Sequence, residues 1–525
     1  MASTLMTPGV YLEEKNAFPS SAVAVATAVP VFVGYTAFAE RNGKSLVGKP
    51  TRITSFAEYI ECFGQGFNSK FTVTDASKDD TDVFTVDGVQ KTVVVNDNNT
   101  AYLFNSIRLF YANGGGPSYV LSVGLYAGAD SIEIKAGDFE VLDILEKEFE
   151  PTLVVMPDAT ALGGEAYGIY QKVLAHCAKM QSRFAIFDVA KQGPTDETAE
   201  VINTFREAIG INFLNYGAAY YPWLETSIVQ PDELDFENID GDLAALLPET
   251  DAKKIIAKYN DDRKKFDPEL KTLIDQREEA LKGGDAIVIV EAEAAVDSKS
   301  KDISTAKKHL HQGLKAVSPT YGNIINEIRN KLNQLPPSGA MAGIYTQVDN
   351  SRGVWKAPAN VSVNMVNAPA VNISSEGQQS LNVDVMAGKS INVIRSFPGI
   401  GSLVWGGRTL DGNSQDWRYI NVRRTLIMIE QSIKLSTRAY VFEPNDANTW
   451  VTVKSMIENF LINLWKQGAL AGASPEAAFE VQIGLGSTMT PTDILDGKML
   501  ITVKVALVRP AEFIVITFQQ QMQQS

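Results

Sequence analysis

Two glycine–lysine–serine segments come nearest to a phosphate-binding loop in this chain. Such a loop needs a further glycine five residues before its glycine–lysine pair. That position holds Val383 in front of Gly388 and Phe38 in front of Gly43. We therefore expect neither segment to bind a phosphate, and we predict no cofactor.

The three histidines and two cysteines could in principle supply metal ligands or a nucleophile. His309 and His311 are two residues apart in a predicted helix, so they do not share a face. His176 precedes Cys177, and adjacent helical side chains point about 100° apart. We predict no zinc site and no thiol–imidazole pair.

One five-residue segment, Ser338–Ala342, resembles the Gly-Thr-Ser-Met-Ala nucleophile segment of subtilisin-type proteases. Ala340 stands where the serine would be, and no histidine lies in a recognisable motif upstream. Without that hydroxyl no acyl-enzyme can form. We predict that the chain is not an enzyme. The alternative, a relative of α/β hydrolases or proteases, would be favoured by labelling with an active-site serine probe.

Composition limits the class of protein further. A chain of 525 residues with 45% hydrophobic content is expected to form two to four soluble domains. Its net charge of −15 argues against nucleic-acid binding, which needs clustered Lys and Arg. The apolar run 22–33 follows acidic Glu13 and Glu14, so it is a poor signal peptide, and no stretch predicts a membrane span. We expect synthesis in a reducing cytosol and, if the protein leaves the cell, release by another route such as lysis.

Strand and helix patterns alternate over residues 23–335 and predict an α/β layer with mostly parallel strands. Asp87-Gly88 lies between β-branched runs and predicts a β-hairpin insertion near 72–97. Residues 231–335 are charged and helical in pattern, which predicts a solvated helical insertion on this layer.

The remaining chain predicts an α+β domain over residues 336–509, in which turn formers separate short apolar runs. Short strand-like segments stand at both ends of the chain, within a linker arm 1–22 and a linker strand 510–525. Neither can bury itself alone, so each is expected to pair with a sheet edge. The residues expected to form these strands are Val10, Tyr11, Leu12, Phe513, Ile514, Val515, Ile516 and Phe518.

Several short motifs, in one order along the chain, resemble contractile tail sheath proteins of myophage tails, contractile bacteriocins and extracellular contractile injection systems. Two of them, Gly353–Asn360 and Trp405–Thr409, carry most of the resemblance. The others are Pro8–Glu14, Ala101–Asn105, Pro157–Ala159, Tyr216–Ala218, Tyr221–Trp223, Val422–Arg424, Phe442–Asn445, Trp465–Leu470 and Arg509–Phe513.

The resemblance implies a structural subunit with a non-catalytic, subtilisin-like α/β domain and a C-terminal sheath domain. Such subunits stack as hexameric rings around an inner tube, exchange terminal strands, and contract from a metastable extended state. The implied partners are further copies or paralogous sheath subunits, the inner tube protein, and baseplate and terminator or cap proteins. The residues expected to face the tube are Lys466, Glu476 and Glu480.

A non-contractile tail-tube or surface-layer protein is a third interpretation, which predicts polymers of fixed length after acid or denaturant shock. Within the sheath family, the sequence leaves phage tail, bacteriocin and injection system open. Type VI secretion sheaths are disfavoured, because two different chains usually share that role.

Overall fold

The computed structural model describes residues 22–78, 80, 82–96, 100–129, 131–193 and 196–516. Its strands are β1 Pro30–Thr36, β2 Glu40–Arg41, β3 Lys44–Ser45, β4 Thr51–Ile53, β5 Phe71–Asp75, β6 Phe84–Val86, β7 Val89–Val95, β8 Ser118–Leu125, β9 Leu153–Val155, β10 Phe184–Asp188, β11 Gly217–Tyr221, β12 Leu224–Thr226, β13 Gln334–Leu335, β14 Val361–Ser362, β15 Val366–Pro369, β16 Ile391–Phe397, β17 Gly401–Val404, β18 Phe479–Ile483 and β19 Ile501–Val505.

The α-helices are α1 Phe56–Phe63, α2 Leu103–Ala112, α3 Leu142–Leu145, α4 Ala166–Met180, α5 Thr198–Ala208, α6 Leu243–Leu246, α7 Thr250–Gly283, α8 Ala286–Val317, α9 Pro319–Leu332, α10 Ser338–Arg352, α11 Ser375–Asn382, α12 Ile420–Thr437, α13 Ala447–Lys466, α14 Pro475–Ala478 and α15 Pro491–Leu495. Single-turn or irregular 3₁₀ segments occupy Ala136–Phe139, Pro157–Glu165, Leu214–Tyr216, Pro231–Glu233, Phe236–Asn238 and Arg438–Tyr440.

A nine-stranded sheet forms the largest layer, in the order β14-β17-β16-β11-β10-β9-β1-β8-β4. The strands from β16 to β8 pair in parallel, and antiparallel strands close both edges. Strands β9, β10 and β11 are buried along their whole length, as expected when helices cover both faces. The predicted α/β layer with mostly parallel strands is confirmed.

This sheet extends past residue 335, where the sequence predicted a domain boundary. Strand β16 pairs with β11 through Ala219 and Ile391, and α10 packs against α2. A Cβ atom on Gly339 would lie 2.4 Å from the carbonyl oxygen of Ser106, so this packing needs a residue without a side chain. The predicted boundary therefore cuts through a layer that the structure keeps together.

A separate hydrophobic core lies beyond the sheet, in the C-terminal unit. It joins the second half of α12, helix α13 and the two-stranded sheet β18–β19. Its fully or nearly buried members include Met428, Ile429, Val453, Ile457, Phe460, Leu461 and Val481. Ala22, the first described residue, also packs here, which brings the N-terminal end of the described chain to this unit.

Long helices and a β-hairpin occupy the two ranges in which the sequence predicts insertions. Helices α7 and α8 pack along each other as a long hairpin that turns at Gly284, where φ is +74°. The other insertion is the β6–β7 hairpin, in which Val86 pairs with Val89 across Asp87-Gly88. Both turn residues have positive φ, 48° and 81°, as a two-residue hairpin of this twist requires.

One element differs from its sequence pattern. The pattern over residues 139–148 predicts a helix, but the structure has a 3₁₀ turn and the single turn α3, with Glu140 and Val141 between them. Phe513–Ile516 pairs with no other strand among the described residues of the single chain, and its pairing with a neighbouring copy stays a prediction. The expectations for Val10, Tyr11, Leu12 and Phe518 lie outside the described residues.

Candidate assembly surface

The protease-like segment lies at the N-terminus of α10, facing the end of β10. The Ser338 backbone N–H donates to Asp188 Oδ1 at 2.7 Å, and both residues are buried. Burial raises the pKa of Asp188 to about 7, although the contacts with Ser338 oppose the rise. Ala340 is fully buried, and its methyl side chain carries no hydroxyl. Asp188 therefore acts as a buried acceptor that fixes α10 on the sheet.

The unfavourable burial of this carboxylate predicts a pH-dependent stability. The pKa of Asp188 is near 4 in the unfolded chain and about 7 in the folded chain, so the protonated carboxyl favours the fold. This contribution to stability is complete below about pH 4 and is lost as pH rises through about 7. Replacing Asp188→Asn keeps an oxygen acceptor and removes the charge. Between pH 5 and pH 8 we expect the free energy of unfolding of the wild type to fall by roughly 2–3 kcal/mol relative to that of the variant.

Denaturant unfolding of both proteins at the two pH values measures this shift. Asp297→Asn, on the exposed face of α8, is the matched control and should show no such shift. A difference between Asp188→Asn and wild type that stays constant with pH would contradict the assignment of a buried, neutralised carboxyl.

The histidine and cysteine side chains lie on three helices: Cys62 in α1, His176 and Cys177 in α4, and His309 and His311 in α8. His176 Nε2 contacts Arg183 Nη1 at 2.6 Å, and burial together with the arginine lowers the histidine pKa to about 4. Burial raises the pKa of Cys177 to about 12. His311 Nδ1 lies 2.8 Å from the Tyr321 hydroxyl, which packs α8 on α9. Among the described residues, no three His, Cys, Asp or Glu side chains gather as metal ligands.

The lysine of the Gly388–Ser390 segment is also structural. Lys389 is 4% exposed, and its ammonium donates to the Arg206 carbonyl oxygen. Its backbone N–H donates to Asp384 Oδ2 at 3.2 Å. The segment thus ties α11 and β16 to α5.

A partly buried ion pair holds the C-terminal segment where it leaves the folded domain. Arg408 Nε and Nη2 donate to the Glu512 carboxylate at 2.9 and 2.7 Å. Asn382 Nδ2 and the Tyr419 hydroxyl donate to the same carboxylate at 2.7 and 3.1 Å. Burial opposes ionisation of Glu512, yet these donors outweigh it and hold its pKa below the usual range. Arg408, Asn382, Tyr419 and Glu512 are called the C-terminal clamp.

Beyond this clamp, four consecutive apolar side chains are open to solvent. Phe513, Ile514, Val515 and Ile516 are 71%, 80%, 88% and 70% exposed. A run of four large apolar residues outside any core is unfavourable for an isolated chain and marks an interaction site.

The segment that precedes β1 is held by a second buried ion pair. Arg424 Nη2 and Asp349 Oδ2 are 2.6 Å apart, and both side chains are 3% exposed. Arg424 also donates to the Thr27 carbonyl oxygen at 2.9 Å, while the Thr27 hydroxyl donates to Asp349 at 2.6 Å. The Arg424 guanidinium lies 4.6 Å from the centre of the Tyr345 ring. Arg424, Asp349, Thr27 and Tyr345 are called the N-terminal clamp.

The two clamps meet at the start of α12. The Asn421 side chain donates to the Trp355 carbonyl oxygen at 2.8 Å and to the Val508 carbonyl oxygen at 3.0 Å. Arg408, Tyr419 and Arg424 lie within the same short stretch of chain. Residues 408–424 therefore hold both terminal segments where they join the folded part of the chain.

A small two-stranded sheet with unpaired edges packs beside α12. Strands β18 and β19 pair antiparallel from Phe479–Val505 to Ile483–Ile501, and no further described strand joins them. A two-stranded sheet leaves unpaired main-chain groups along both outer edges. Ile501, Val503 and Val505 line a groove of about 300 Å³ with Ile429 and Ile433 of α12.

The three residues expected to face an inner tube are all exposed and lie on three different elements. Lys466 ends α13, Glu476 lies in α14, and Glu480 lies in β18. Glu480 pairs with Lys504 of β19 at 2.9 Å, whereas Lys466 and Glu476 form no ion pair among the described residues.

Sequence reasoning missed the clamp residues Arg408, Asp349 and Glu512. The available signal was weak: Arg408 and Arg424 stand in otherwise apolar or aromatic stretches, where a charged residue needs a buried partner. The partners lie 104 and 75 residues away in the chain, and no local pattern identifies them.

Comparison with known proteins agrees with this architecture. A family model described as the phage tail sheath C-terminal domain matches residues 413–521. The tail sheath protein of Vibrio phage KVP40 is 23% identical over 185 residues, which is 35% of this chain. The matched part spans about a quarter, 26%, of that phage protein's own length.

Solved structures match almost the whole chain. The sheath complex of an extracellular contractile injection system, PVC, in its contracted state is 27% identical with a TM-score of 0.58, covering 99% of both chains. The helical sheath of the anti-feeding prophage, AFP, in its contracted state is 29% identical with a TM-score of 0.57, covering 99% of this chain and 100% of that one.

Among the described residues, no helix is both long and apolar enough to cross a membrane. The terminal segments, the open sheet and these matches agree on one class of protein, the contractile tail sheath proteins, to which this chain is similar.

Proposed function

We propose that this chain is the structural subunit of a contractile sheath. Copies polymerise as stacked hexameric rings around an inner tube and contract from a metastable extended state, which drives the tube through a target envelope. The subunit has no catalytic role. The observation that most supports this function is the exposed apolar segment Phe513–Ile516, which directly follows Glu512 of the C-terminal clamp.

Strand exchange explains why this segment is exposed. An extended peptide that adds to a sheet edge gains main-chain hydrogen bonds and buries alternate side chains. The β18–β19 sheet offers such edges, and the groove beside β19 is lined by apolar residues. We propose that Phe513, Ile514, Val515, Ile516 and Phe518 form one exchanged strand and that Val10, Tyr11 and Leu12 form the other, each on a neighbouring copy.

A contact between unlike surfaces of identical subunits repeats without closing on a pair, so it builds rings or helical polymers. The proposed partners are therefore further copies or paralogous sheath chains, the inner tube protein, and baseplate and terminator or cap proteins. Lys466, Glu476 and Glu480 remain the candidates for tube contact. Neither nucleic acid nor membrane insertion is part of the function, and the particle assembles in the bacterial cytoplasm and is released by lysis.

We further propose that the α/β layer is a non-catalytic, subtilisin-like domain. Its parallel strands and the contact of Asp188 with the first turn of α10 support this relation. We place its limit after β17, near residue 404, rather than at 335. The linker arms keep their proposed ranges, 1–22 and 510–525.

Removing residues 1–20 should leave a soluble, folded protein that forms no long tubes. Folding is retained because Ala22 and Thr27, which anchor the following segment, remain in place. Circular dichroism and negative-stain microscopy measure the two outcomes. Folded protein that still forms long tubes would show that the N-terminal arm is not an intersubunit strand.

Microscopy of native particles tests the function itself. Sheaths of two lengths, long and short, are expected in one preparation before and after triggering. Particles of a single length under all conditions would favour a non-contractile tube or surface layer instead.

A further inference from the structure

The loop between the 3₁₀ turn after α12 and the start of α13 presents an aromatic side chain to solvent in a strained backbone. Phe442 is 102% exposed, and its φ is +73°. A bulky L-residue in the left-handed region costs free energy and is rare outside functional sites. In the single chain Phe442 therefore combines backbone strain with an exposed apolar surface, and no core contact offsets either.

The residues around Phe442 hold the loop in place. Asn445 accepts from Trp450 Nε1 at 2.7 Å and donates to the Lys498 carbonyl oxygen at 3.0 Å. Asp446 caps α13 by accepting the backbone N–H groups of Asn448 and Thr449, both at 3.0 Å. Phe442 is therefore displayed by a fixed loop.

The same chain carries an apolar recess between α12 and the α/β layer, with a volume of about 390 Å³. A cavity of about 150 Å³ lined by apolar side chains is enough to bind benzene. The recess therefore has room for a phenyl ring. Its apolar lining includes Phe149, Met180, Phe184, Ile427, Met428 and Leu435, together with Val25 and Ala26 of the segment that precedes β1.

Charges beside the aromatic residue and beside the recess are complementary. Glu443 follows Phe442 and is exposed, while Lys434 and Arg438 border the recess and are exposed. None of these three forms an ion pair within the described part of the chain. Glu150 also borders the recess, but Arg52 and the Tyr119 hydroxyl bind its carboxylate at 3.1 and 2.6 Å. The unpaired charge at the mouth is therefore basic.

We propose that Phe442 of one copy inserts into this recess of a second copy, with Glu443 pairing to Lys434 or Arg438. The proposal rests on the proposed polymer of identical chains. It adds a direct contact between folded bodies to the exchange of terminal strands. When each copy inserts its Phe442 into the recess of the next copy, the contact is head-to-tail and can propagate along a polymer.

Crosslinking between two different variants tests the contact. Phe442→Cys and Met180→Cys chains are mixed, assembled and oxidised. We expect a disulfide-linked dimer in the mixture and none from either variant alone, since the native Cys62 and Cys177 are buried. Polymers that form without this bond would overturn the docking and leave the sheath function standing. A wild-type chain that never polymerises would refute the sheath function and the docking together.

A glycine variant separates the role in assembly from a role in folding. Phe442→Gly suits a φ of +73°, so its unfolding midpoint should equal or exceed that of wild type, while the concentration needed for polymerisation rises at least tenfold. Leu495→Ala removes another exposed apolar side chain, 87% exposed, and is the control that should polymerise normally. Phe442→Gly chains that polymerise like wild type would overturn the proposal.

The same crosslinking distinguishes two alternatives, a different occupant of the recess and a different partner for Phe442. An intrachain bond between Met180→Cys and a cysteine placed at Val10 would assign the recess to the chain's own N-terminal residues. A bond from Phe442→Cys to a different protein in native particles would assign the aromatic residue to another partner. Either result overturns the proposal.

Discussion

A chain that ends at Glu512 is expected to fold like the full chain and to form no polymer at any concentration that supports wild-type assembly. The removed side chains Phe513–Ile516 are 70–88% exposed, so their loss takes nothing from the fold. The C-terminal clamp stays complete, because Glu512 is retained. Thermal unfolding and sedimentation velocity measure the two properties. Normal polymerisation of the truncated chain would remove the main support for strand exchange.

Paired substitutions show whether the segment acts as a strand. Successive side chains of a strand point to opposite faces, so Ile514 and Ile516 share one face and Phe513 and Val515 share the other. On a neighbouring sheet one face packs on the core and one faces solvent. We expect Asp at one of these pairs to abolish assembly and Asp at the other to weaken it less than tenfold. Equal loss from both pairs would contradict the strand geometry.

Breaking the N-terminal clamp should cause the largest loss of stability. Arg424→Ala leaves Asp349 buried without its cation, and removing one partner of a buried ion pair costs about 3–5 kcal/mol. The variant also loses the contact with the Tyr345 ring and the hydrogen bond to Thr27. Denaturant unfolding of the non-polymerising chain that ends at Glu512 measures the effect without interference from assembly.

Two further variants identify the origin of that loss. The double change Arg424→Met with Asp349→Leu removes both charges and should lose much less stability than Arg424→Ala. Arg424→Lys keeps the charge but cannot form two parallel hydrogen bonds, so it should lie between wild type and Arg424→Ala. If the double variant were as unstable as Arg424→Ala, packing rather than the unpaired carboxylate would explain the cost.

Elements built from local signals could be predicted from the sequence. Ser55 caps α1 by accepting from the Glu58 backbone N–H, and Glu58 accepts from the Thr54 N–H, as the local spacing indicates. The Asp87-Gly88 turn likewise forms the predicted hairpin. These features depend on residues three or four apart, so the pattern alone is sufficient.

Features built from distant residues could not be predicted. The pairing of β16 with β11 joins residues about 170 apart, which is why the boundary at 335 was placed inside the sheet. The partners of Arg408 and Arg424 are equally remote. Phe513–Ile516 has the composition of a strand, but a strand needs a neighbouring backbone, and the single chain does not supply one.

The meeting of both clamps in residues 408–424 determines how mechanical load would cross the subunit. A pull between Thr27 and Glu512 passes from Arg424 through the first turn of α12 to Asn421, Tyr419 and Arg408. This route is only a few residues long and bypasses most of the nine-stranded sheet. Elements that lie away from this route, such as the α7–α8 hairpin, should therefore leave the connection from one end to the other unchanged.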